Sequence, residues 1–369
     1  MEAYQYWFVI IWVGAMALII ERMQRLKHPL LEDDRQERVQ LIAAMLTILP
    51  VIVLAAFRAN IGDTETYREM FHNIPSNLPD LISYLKEVGK DKGFFVLSGL
   101  LKLFVGSSDV VYFLILAAVM GFCIVSAYRR YSPSFGTSMF LFIASTDYIS
   151  WMFNGMRQFL AASLLFAICI GLFLRKKYWL SAIAIVVLST IHASALIMLP
   201  ALLVVGGKAF NWRAMVFIGA SIAIAIFAEP LTTLLGKILQ GTQYDGAVSH
   251  WVEDDGTNAI RVAVYIIPTL FAVFGRKRIQ QANNPLINLC VNMSVLSAGF
   301  YIISMATSGI YVGRIPIYFS LYNYILLPWE IKNLFPKKYA KLLFCMLVVC
   351  YLVFYYFQVF VVWKGGVAI

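Results

Sequence analysis

The sequence predicts an all-α, polytopic integral membrane protein, and three observations support this fold class. Of the 369 residues, 61% are hydrophobic and only 14% are charged, with a mean hydropathy of +0.76. A water-soluble globular protein of this size needs more polar residues than this to cover its surface. Apolar segments that span or nearly span a bilayer recur along the chain, and clusters of Lys and Arg lie between them.

A helix needs about 20 residues to cross the hydrocarbon core of a bilayer, which predicts roughly twelve transmembrane helices here. The run 178–206 is divided at His192, because one long helix would move the basic residues 276–278 to the wrong side. Basic residues follow the first segment rather than precede it, which indicates a retained span and not a signal peptide. In order, the predicted spans are 3–20, 39–57, 109–127, 135–152, 157–174, 178–191, 193–206, 214–230, 260–274, 286–306, 315–330 and 341–361.

The basic clusters predict the orientation of every loop. If they lie in the cytoplasm, both termini are outside and 58–92 and 231–259 are the two large exterior loops. The segment 93–105 is too short for a span, and we expect an interfacial or re-entrant helix on the outer face. Residues 1–369 are expected to form a single membrane-embedded domain. The clusters are Arg22/Arg25/Lys27 with Arg35/Arg38, Arg129/Arg130, Arg175/Lys176/Lys177, Lys208/Arg213, Arg276/Lys277/Arg278 and Lys332/Lys337/Lys338/Lys341.

Charge and cysteine usage exclude several classes of partner. The net charge is +10, but the basic residues lie in short loops, so they fit orientation signals and anionic-lipid contacts better than a nucleic-acid interface. The cysteines all lie in apolar stretches without the spacing of a disulfide framework or a zinc site.

Single arginines at the outer ends of predicted spans are not needed for orientation. A guanidinium offers a planar, permanently charged fork that suits a diphosphate. Asp63 follows a turn-prone stretch after Arg58 and is expected to face the same cavity. The alternative is that Arg58 reaches lipid headgroups and Asp63 caps the helix that begins at Thr64. The arginines of this kind are Arg58, Arg157, Arg261 and Arg314.

A second polar group lies in the turn between two predicted spans, where it is suited to hold a sugar by stacking and hydrogen bonding. An aromatic belt with Arg157 at the headgroups is the alternative. The exterior loop 231–259 also combines aromatic residues with carboxylates, as carbohydrate sites do. The turn contains Asp147, Tyr148, Trp151, Asn154, Arg157 and Gln158, and the loop contains Tyr244, Asp245, His250, Trp251, Glu253, Asp254 and Asp255.

His192 lies between two apolar stretches and offers a proton acceptor near neutral pH. A hydrogen-bonded packing histidine is the alternative. His192 has no second histidine or carboxylate at helical spacing, so the sequence does not predict a metal site there.

Four short motifs, in this order along the chain, are similar to those of the EpsG family of bacterial exopolysaccharide polymerases, relatives of the Wzy-type O-antigen and capsule polymerases. The motifs are Arg58…Gly62-Asp63-Thr…Tyr67, Asn154-x-x-Arg157-Gln158, His192-x-Ser194-Ala195 and Arg314…Tyr318-Phe319…Leu326-Leu327-Pro328.

The resemblance implies a GT-C-like glycosyltransferase of the bacterial cytoplasmic membrane. It would join oligosaccharide repeat units carried on a polyprenyl diphosphate at the outer face, with a flippase and a chain-length regulator as partners. Arg157, Arg58 and Arg314 would hold the diphosphate, and His192 or Asp63 would accept the proton of the attacking hydroxyl. No DxD-like motif lies in an exterior loop, so we expect neither a metal nor another cofactor. Further expected substrate contacts are Tyr67, Asp147, Asn154, Gln158 and Arg261.

Other functions share part of this chemistry. A lipid-linked glycan flippase or polysaccharide transporter would also need arginines, but it would carry charge through the depth of the bilayer. A membrane acyltransferase would need a site open to cytoplasmic donors, whereas His192 is predicted to lie outward. A glycan ligase uses the same chemistry as a polymerase and stays open as an alternative.

Overall fold

A computed structural model describes residues 2–27, 39–59, 62–228, 230 and 256–363, and every regular element in these ranges is helical. This confirms the all-α prediction. The contacts divide the chain into two compact units, described separately below. The single membrane-embedded domain therefore stays a prediction.

The first unit combines the two ends of the chain with the segment that carries most of the predicted site. It covers the described parts of Met1–Leu172, Trp179–Leu196 and Lys337–Ile369. Its elements are α1 (Ala3–Lys27), α2 (Leu41–Ala56), α3 (Thr64–Asn73), α4 (Leu78–Glu87), α5 (Lys92–Val105), α6 (Asp109–Tyr131), α7 (Phe135–Ala144), a π-helix (Tyr148–Asn154), α8 (Met156–Leu174), α9 (Tyr178–Ser189), a 3₁₀-helix (Ala193–Ile197), α17 (Lys337–Tyr356) and a terminal π-helix (Phe357–Val362).

The second unit covers the described parts of Phe173–Tyr178 and Ile197–Pro336. Its long central helix, α14, packs against α11 and α12. Its elements are α10 (Met198–Val205), α11 (Trp212–Ile226), α12 (Ala259–Phe274), α13 (Arg276–Ala282), α14 (Pro285–Ala306), α15 (Ile317–Ser320) and α16 (Asn323–Leu334).

Local sequence explains where many helices begin. The side chains of Asn77, Ser108 and Ser134 each accept a hydrogen bond from a backbone N–H in the first turn of α4, α6 and α7. These residue types satisfy N–H groups that have no partner inside the helix. Asn284 caps α14 in the same way, with a proline at the following position, where its missing N–H costs nothing.

Five helices are long and apolar enough to cross a membrane, or up to six if α12 and α13, which bend by 71°, form one span. The described chain is therefore that of a membrane protein, with fewer full-length helices than the sequence analysis expects. The five are Ala3–Met23, Asp109–Tyr131, Met156–Leu174, Pro285–Ala306 and Lys337–Val362.

Several predicted spans are interrupted in the structure. The predicted helix 135–152 ends at Ala144, because Thr146 adopts a left-handed backbone with φ of 67° and a π-helix follows. The predicted helix 315–330 is divided into α15 and α16. The long run 178–206 breaks around His192, where the sequence analysis divides it.

Helices α3 and α5 pack together and form a layer against α6. The ammonium of Lys102 in α5 donates to the carbonyls of Phe71 (3.0 Å) and His72 (3.4 Å) in the last turn of α3. Burial lowers the pKa of Lys102. In the middle of α5, Ser98 hydrogen-bonds Tyr112 of α6 at 2.9 Å. The layer therefore has a fixed position on α6.

The two ends of the chain meet in the first unit. The hydroxyl of Tyr355 in α17 donates to the carbonyl of Tyr6 in α1 at 2.9 Å and lies 2.7 Å from the hydroxyl of Tyr148. Trp7 stacks on Phe360 with ring centroids 5.5 Å apart. Because Tyr148 begins the π-helix, the last helix of the chain fixes one end of that segment.

Candidate functional site

Arg58 lies at the centre of a buried cluster just beyond the end of α2. Its guanidinium donates to the carbonyls of Met152 (3.1 Å) and Phe153 (3.0 Å) and to the sulfur of Met156 (2.7 Å). Its central carbon lies 3.9 Å from the ring centroid of Phe113. These contacts tie the end of α2 to the π-helix that precedes α8.

The partners of the Arg58 guanidinium among the described residues are all neutral. Only 4% of the residue is exposed, and its Nε atom is buried without a hydrogen-bond partner there. Burial lowers the pKa of Arg58 to about 10, so the group stays protonated at neutral pH. A buried cation without a counter-ion is costly, and an anion that reaches it recovers part of that cost.

The π-helix explains why carbonyl groups are available to Arg58. Met152 and Phe153 lie in its last turn, where carbonyls lack helical N–H partners. Gly155 closes the segment by donating its N–H to the carbonyl of Ser150. Single π-helical turns are rare and occur often at functional sites.

Asn154 fixes the start of the segment that leads into α3. Its side-chain oxygen accepts a hydrogen bond from the backbone N–H of Asp63 at 3.0 Å. Gly62 has a φ of +50°, and a Cβ atom there would overlap the Asn154 amide. Asp63 precedes α3, but its carboxylate does not cap that helix, so the capping role considered in the sequence analysis is wrong.

Arg157 lies at the start of α8 and pairs with Asp91 at 3.0 Å. Its backbone N–H lies 3.5 Å from the hydroxyl of Tyr67, and its guanidinium lies 5.6 Å from the Tyr67 ring and 6.0 Å from the Phe94 ring. The carboxylates of Asp91 and Asp63 both interact electrostatically with it. The arginine is therefore held between α3, α5 and α8.

His192 lies in the short turn between α9 and the 3₁₀-helix. Its Nδ1 accepts the backbone N–H of Ser194 at 3.3 Å and lies 2.7 Å from the Ser194 hydroxyl. Because a backbone N–H only donates, the neutral ring carries its proton on Nε2. The turn is attached to the site through Asp91, whose Oδ1 accepts the N–H of Ala193 at 3.3 Å.

The first unit thus brings together the predicted residues Arg58, Asp63, Tyr67, Asn154 and Arg157, and it connects the His192 turn to them. Asp147 and Gln158 are buried in the same unit, at the start of the π-helix and in the first turn of α8.

Two predicted arginines belong to the second unit. Arg261 lies in the first turn of α12, with its guanidinium 5.7 Å from the ring of Tyr265. Arg314 lies in the run of turns that precedes α15. The predicted sugar-facing residues of the second exterior loop lie outside the described residues, and they are Tyr244, Asp245, His250, Trp251, Glu253, Asp254 and Asp255.

The sequence does not predict a role for Asp91. Asp91 lies in a Lys-rich stretch with no motif around it, which is typical of a solvated loop residue. The available signal was its position directly before the short apolar segment 93–105. In the described part of the chain, no group of three or more His, Cys, Asp or Glu side chains is placed to bind a metal ion. Metal independence stays a prediction.

These features define an all-helical membrane protein with a buried cationic site bordered by carboxylates. The chain belongs to the EpsG family, which matches residues 41–366. The resemblance seen in the short motifs is thereby confirmed over most of the chain. No curated protein and no solved structure matches the chain.

Proposed function

We propose that this protein polymerises polyprenyl-diphosphate-linked oligosaccharide repeat units into exopolysaccharide or capsule at the outer face of the bacterial cytoplasmic membrane. The observation that carries the proposal is the buried Arg58, which has no carboxylate among its described partners and belongs to the same cluster as Arg157. Such a cluster suits a ligand with several negative charges, as a diphosphate has. Family membership supports a polymerase-related activity.

In the proposed reaction, a hydroxyl of one lipid-linked glycan attacks the anomeric carbon of another. The new glycosidic C–O bond forms as the bond to the diphosphate oxygen breaks, and the diphosphate leaves with the electron pair. Arg58 and Arg157 stabilise the negative charge that develops on it. The proposed reaction does not use a metal ion.

The hydroxyl proton needs an acceptor, and Asp63 is the favoured one. Its carboxylate does not cap α3 and interacts with Arg157. His192 stays the second candidate, because its Nδ1 accepts the Ser194 N–H in its own turn and the neutral ring carries a proton on Nε2.

The proposal extends to the substrate path and the architecture. Tyr67, Asn154 and Gln158 would contact the glycan beside Arg157. Asp147, Arg261 and Arg314 are proposed as further substrate contacts. A GT-C-like arrangement of roughly twelve spans would include shorter apolar helices of 10–17 residues, such as α2 and α9. A flippase would supply the lipid-linked units and a chain-length regulator would limit the polymer.

The test compares Arg58→Ala and Arg157→Ala in a host whose polymer depends on this chain. Loss of one such donor is expected to lower the rate by about 10²–10³-fold. Single lipid-linked units should therefore accumulate at normal protein abundance, without long polymer. Lysine at either position should restore activity only in part, because it lacks the planar fork.

The matched control is Arg130→Ala, which removes an exposed arginine from the last turn of α6 and should leave polymer length unchanged. Unchanged long polymer in both site variants would contradict the proposal. Accumulation of units on the cytoplasmic side alone would indicate a flippase instead. Intact polymer on the carrier lipid, without transfer to a final acceptor, would indicate a ligase.

A further inference from the structure

Asp91 joins three elements of the first unit at the candidate site. It directly precedes α5, its Oδ2 pairs with Arg157 of α8 at 3.0 Å, and its Oδ1 accepts the N–H of Ala193 at 3.3 Å. Its side chain is only 12% exposed. One carboxylate therefore connects the arginine of α8 with the turn that carries His192.

The backbone around Asp91 is held in an unusual conformation. Asp91 has φ of 53° and ψ of 37°, in the left-handed region that few residues other than glycine adopt. Asp and Asn are the side chains best tolerated there. Two residues on, Gly93 donates its N–H to the carbonyl of Thr190 at 2.8 Å, and a Cβ atom on Gly93 would overlap Thr190. Strained residues of this kind persist where surrounding contacts fix them, often at functional sites.

The ion pair between Asp91 and Arg157 gives Arg157 and Arg58 different charge environments. Arg157 is 34% exposed at its side chain and has Asp91 as a counter-ion, whereas the Arg58 guanidinium contacts only neutral groups among the described residues. At Arg58 an incoming diphosphate meets a charge that no carboxylate among the described residues neutralises. At Arg157 it has to compete with a carboxylate that is already in place.

We propose that Asp91 is a positioning residue, which holds Arg157 and the His192 turn in register before the substrate binds and gives up Arg157 to the diphosphate. This inference rests on the proposed function. The competition weakens the binding of substrate and product diphosphate alike, and so it favours product release. The same contacts keep the guanidinium in place for the reaction, so turnover depends on Asp91 although Asp91 does not touch the reacting atoms.

Asp91→Asn separates the charge from the geometry. Asparagine tolerates the left-handed backbone, and its amide oxygen still accepts the N–H of Ala193, but it no longer neutralises Arg157. The probe is farnesyl diphosphate, titrated against the purified full chain in lipid nanodiscs. Asp91→Asn should bind it about twofold to fivefold more tightly, as expected for loss of a partly exposed ion pair.

A double-mutant cycle tests whether the effect acts through Arg157. Arg157→Gln should weaken binding of the probe, and adding Asp91→Asn to it should change nothing further. In a polymerisation assay, Asp91→Asn should lower both KM and kcat, and Asp91→Glu should restore part of kcat. A loss of packing alone would not tighten binding. The control Glu87→Gln removes an exposed carboxylate from the end of α4 and should behave as wild type.

The outcomes separate this inference from the proposed function. If Arg157→Gln weakens probe binding while Asp91→Asn leaves it unchanged, the counter-ion role is overturned and the diphosphate clamp stands. If Arg157→Gln binds the probe as wild type does, the clamp is overturned and this inference with it. Asp91→Gly keeps the left-handed backbone without strain and also removes the charge, so it should bind the probe more tightly even if Asp91→Asn accumulates poorly.

Discussion

At the scale of single residues, the contact between Gly62 and Asn154 sets how closely the segment before α3 approaches the π-helix. Gly62 has a positive φ of +50°, and its missing side chain leaves room for the Asn154 amide. That amide accepts the N–H of Asp63. The position of Asp63 beside Arg157 therefore depends on a residue that carries no chemistry itself.

Gly62→Ala should destabilise the protein and lower its activity. The new Cβ combines an unfavourable backbone conformation with a steric overlap, and a cost of about 1–3 kcal/mol is expected. Thermal unfolding of the purified protein in detergent would show a lower midpoint, and polymer yield would fall with it. Gly89→Ala is the matched control, because a Cβ atom added at Gly89 would meet no other atom within 4 Å. An equal fall of the unfolding midpoint in Gly62→Ala and Gly89→Ala would contradict the close contact between Gly62 and Asn154.

At the scale of elements, α3 is positioned from its C-terminal end. Lys102 of α5 places a buried ammonium against the last carbonyls of α3 and above the ring of Phe71, 4.6 Å from its centroid. A cation near a helix C-terminus is favourable both for hydrogen bonding and for the helix dipole. Because α3 carries Tyr67, this contact also orients a residue that touches Arg157.

Lys102→Ala should loosen α3 and reduce stability by about 1–3 kcal/mol, since it leaves carbonyls without partners and creates a cavity. Limited proteolysis should cleave within residues 64–73 faster than in wild type, and the unfolding midpoint should fall. Lys86→Ala, at an exposed position near the end of α4, serves as control and should change neither. Wild-type protease resistance in Lys102→Ala would contradict this role of α5.

Local sequence patterns account for some elements of the fold and not for others. The apolar segments predicted α1, α6, α8 and α14 well, because hydropathy reports burial in a bilayer directly. The π-helix was not predicted, since it depends on Arg58 contacts that span 94 and 95 residues of sequence. Asp91 was missed for a similar reason: its partners are 66 and 102 residues away.

At the scale of the whole molecule, the positive-inside arrangement makes a prediction that needs no assumption about chemistry. In a cysteine-free background, Ser76→Cys should react with a membrane-impermeant maleimide in intact cells, because it lies in the predicted exterior loop between α3 and α4. Gln281→Cys should react only after the membrane is permeabilised. Both positions are exposed in the structure, so access within the protein does not limit labelling. The reverse pattern would overturn the predicted orientation of the chain.

The meeting of α1 and α17 has a consequence for biosynthesis. The hydroxyl of Tyr355 contacts both Tyr6 and Tyr148, so the start of the π-helix gains this partner only after α17 has left the ribosome. A nascent chain that stops before residue 337 contains every arginine of the site but lacks this partner. Translation errors late in the message therefore yield chains in which the start of the π-helix lacks this contact.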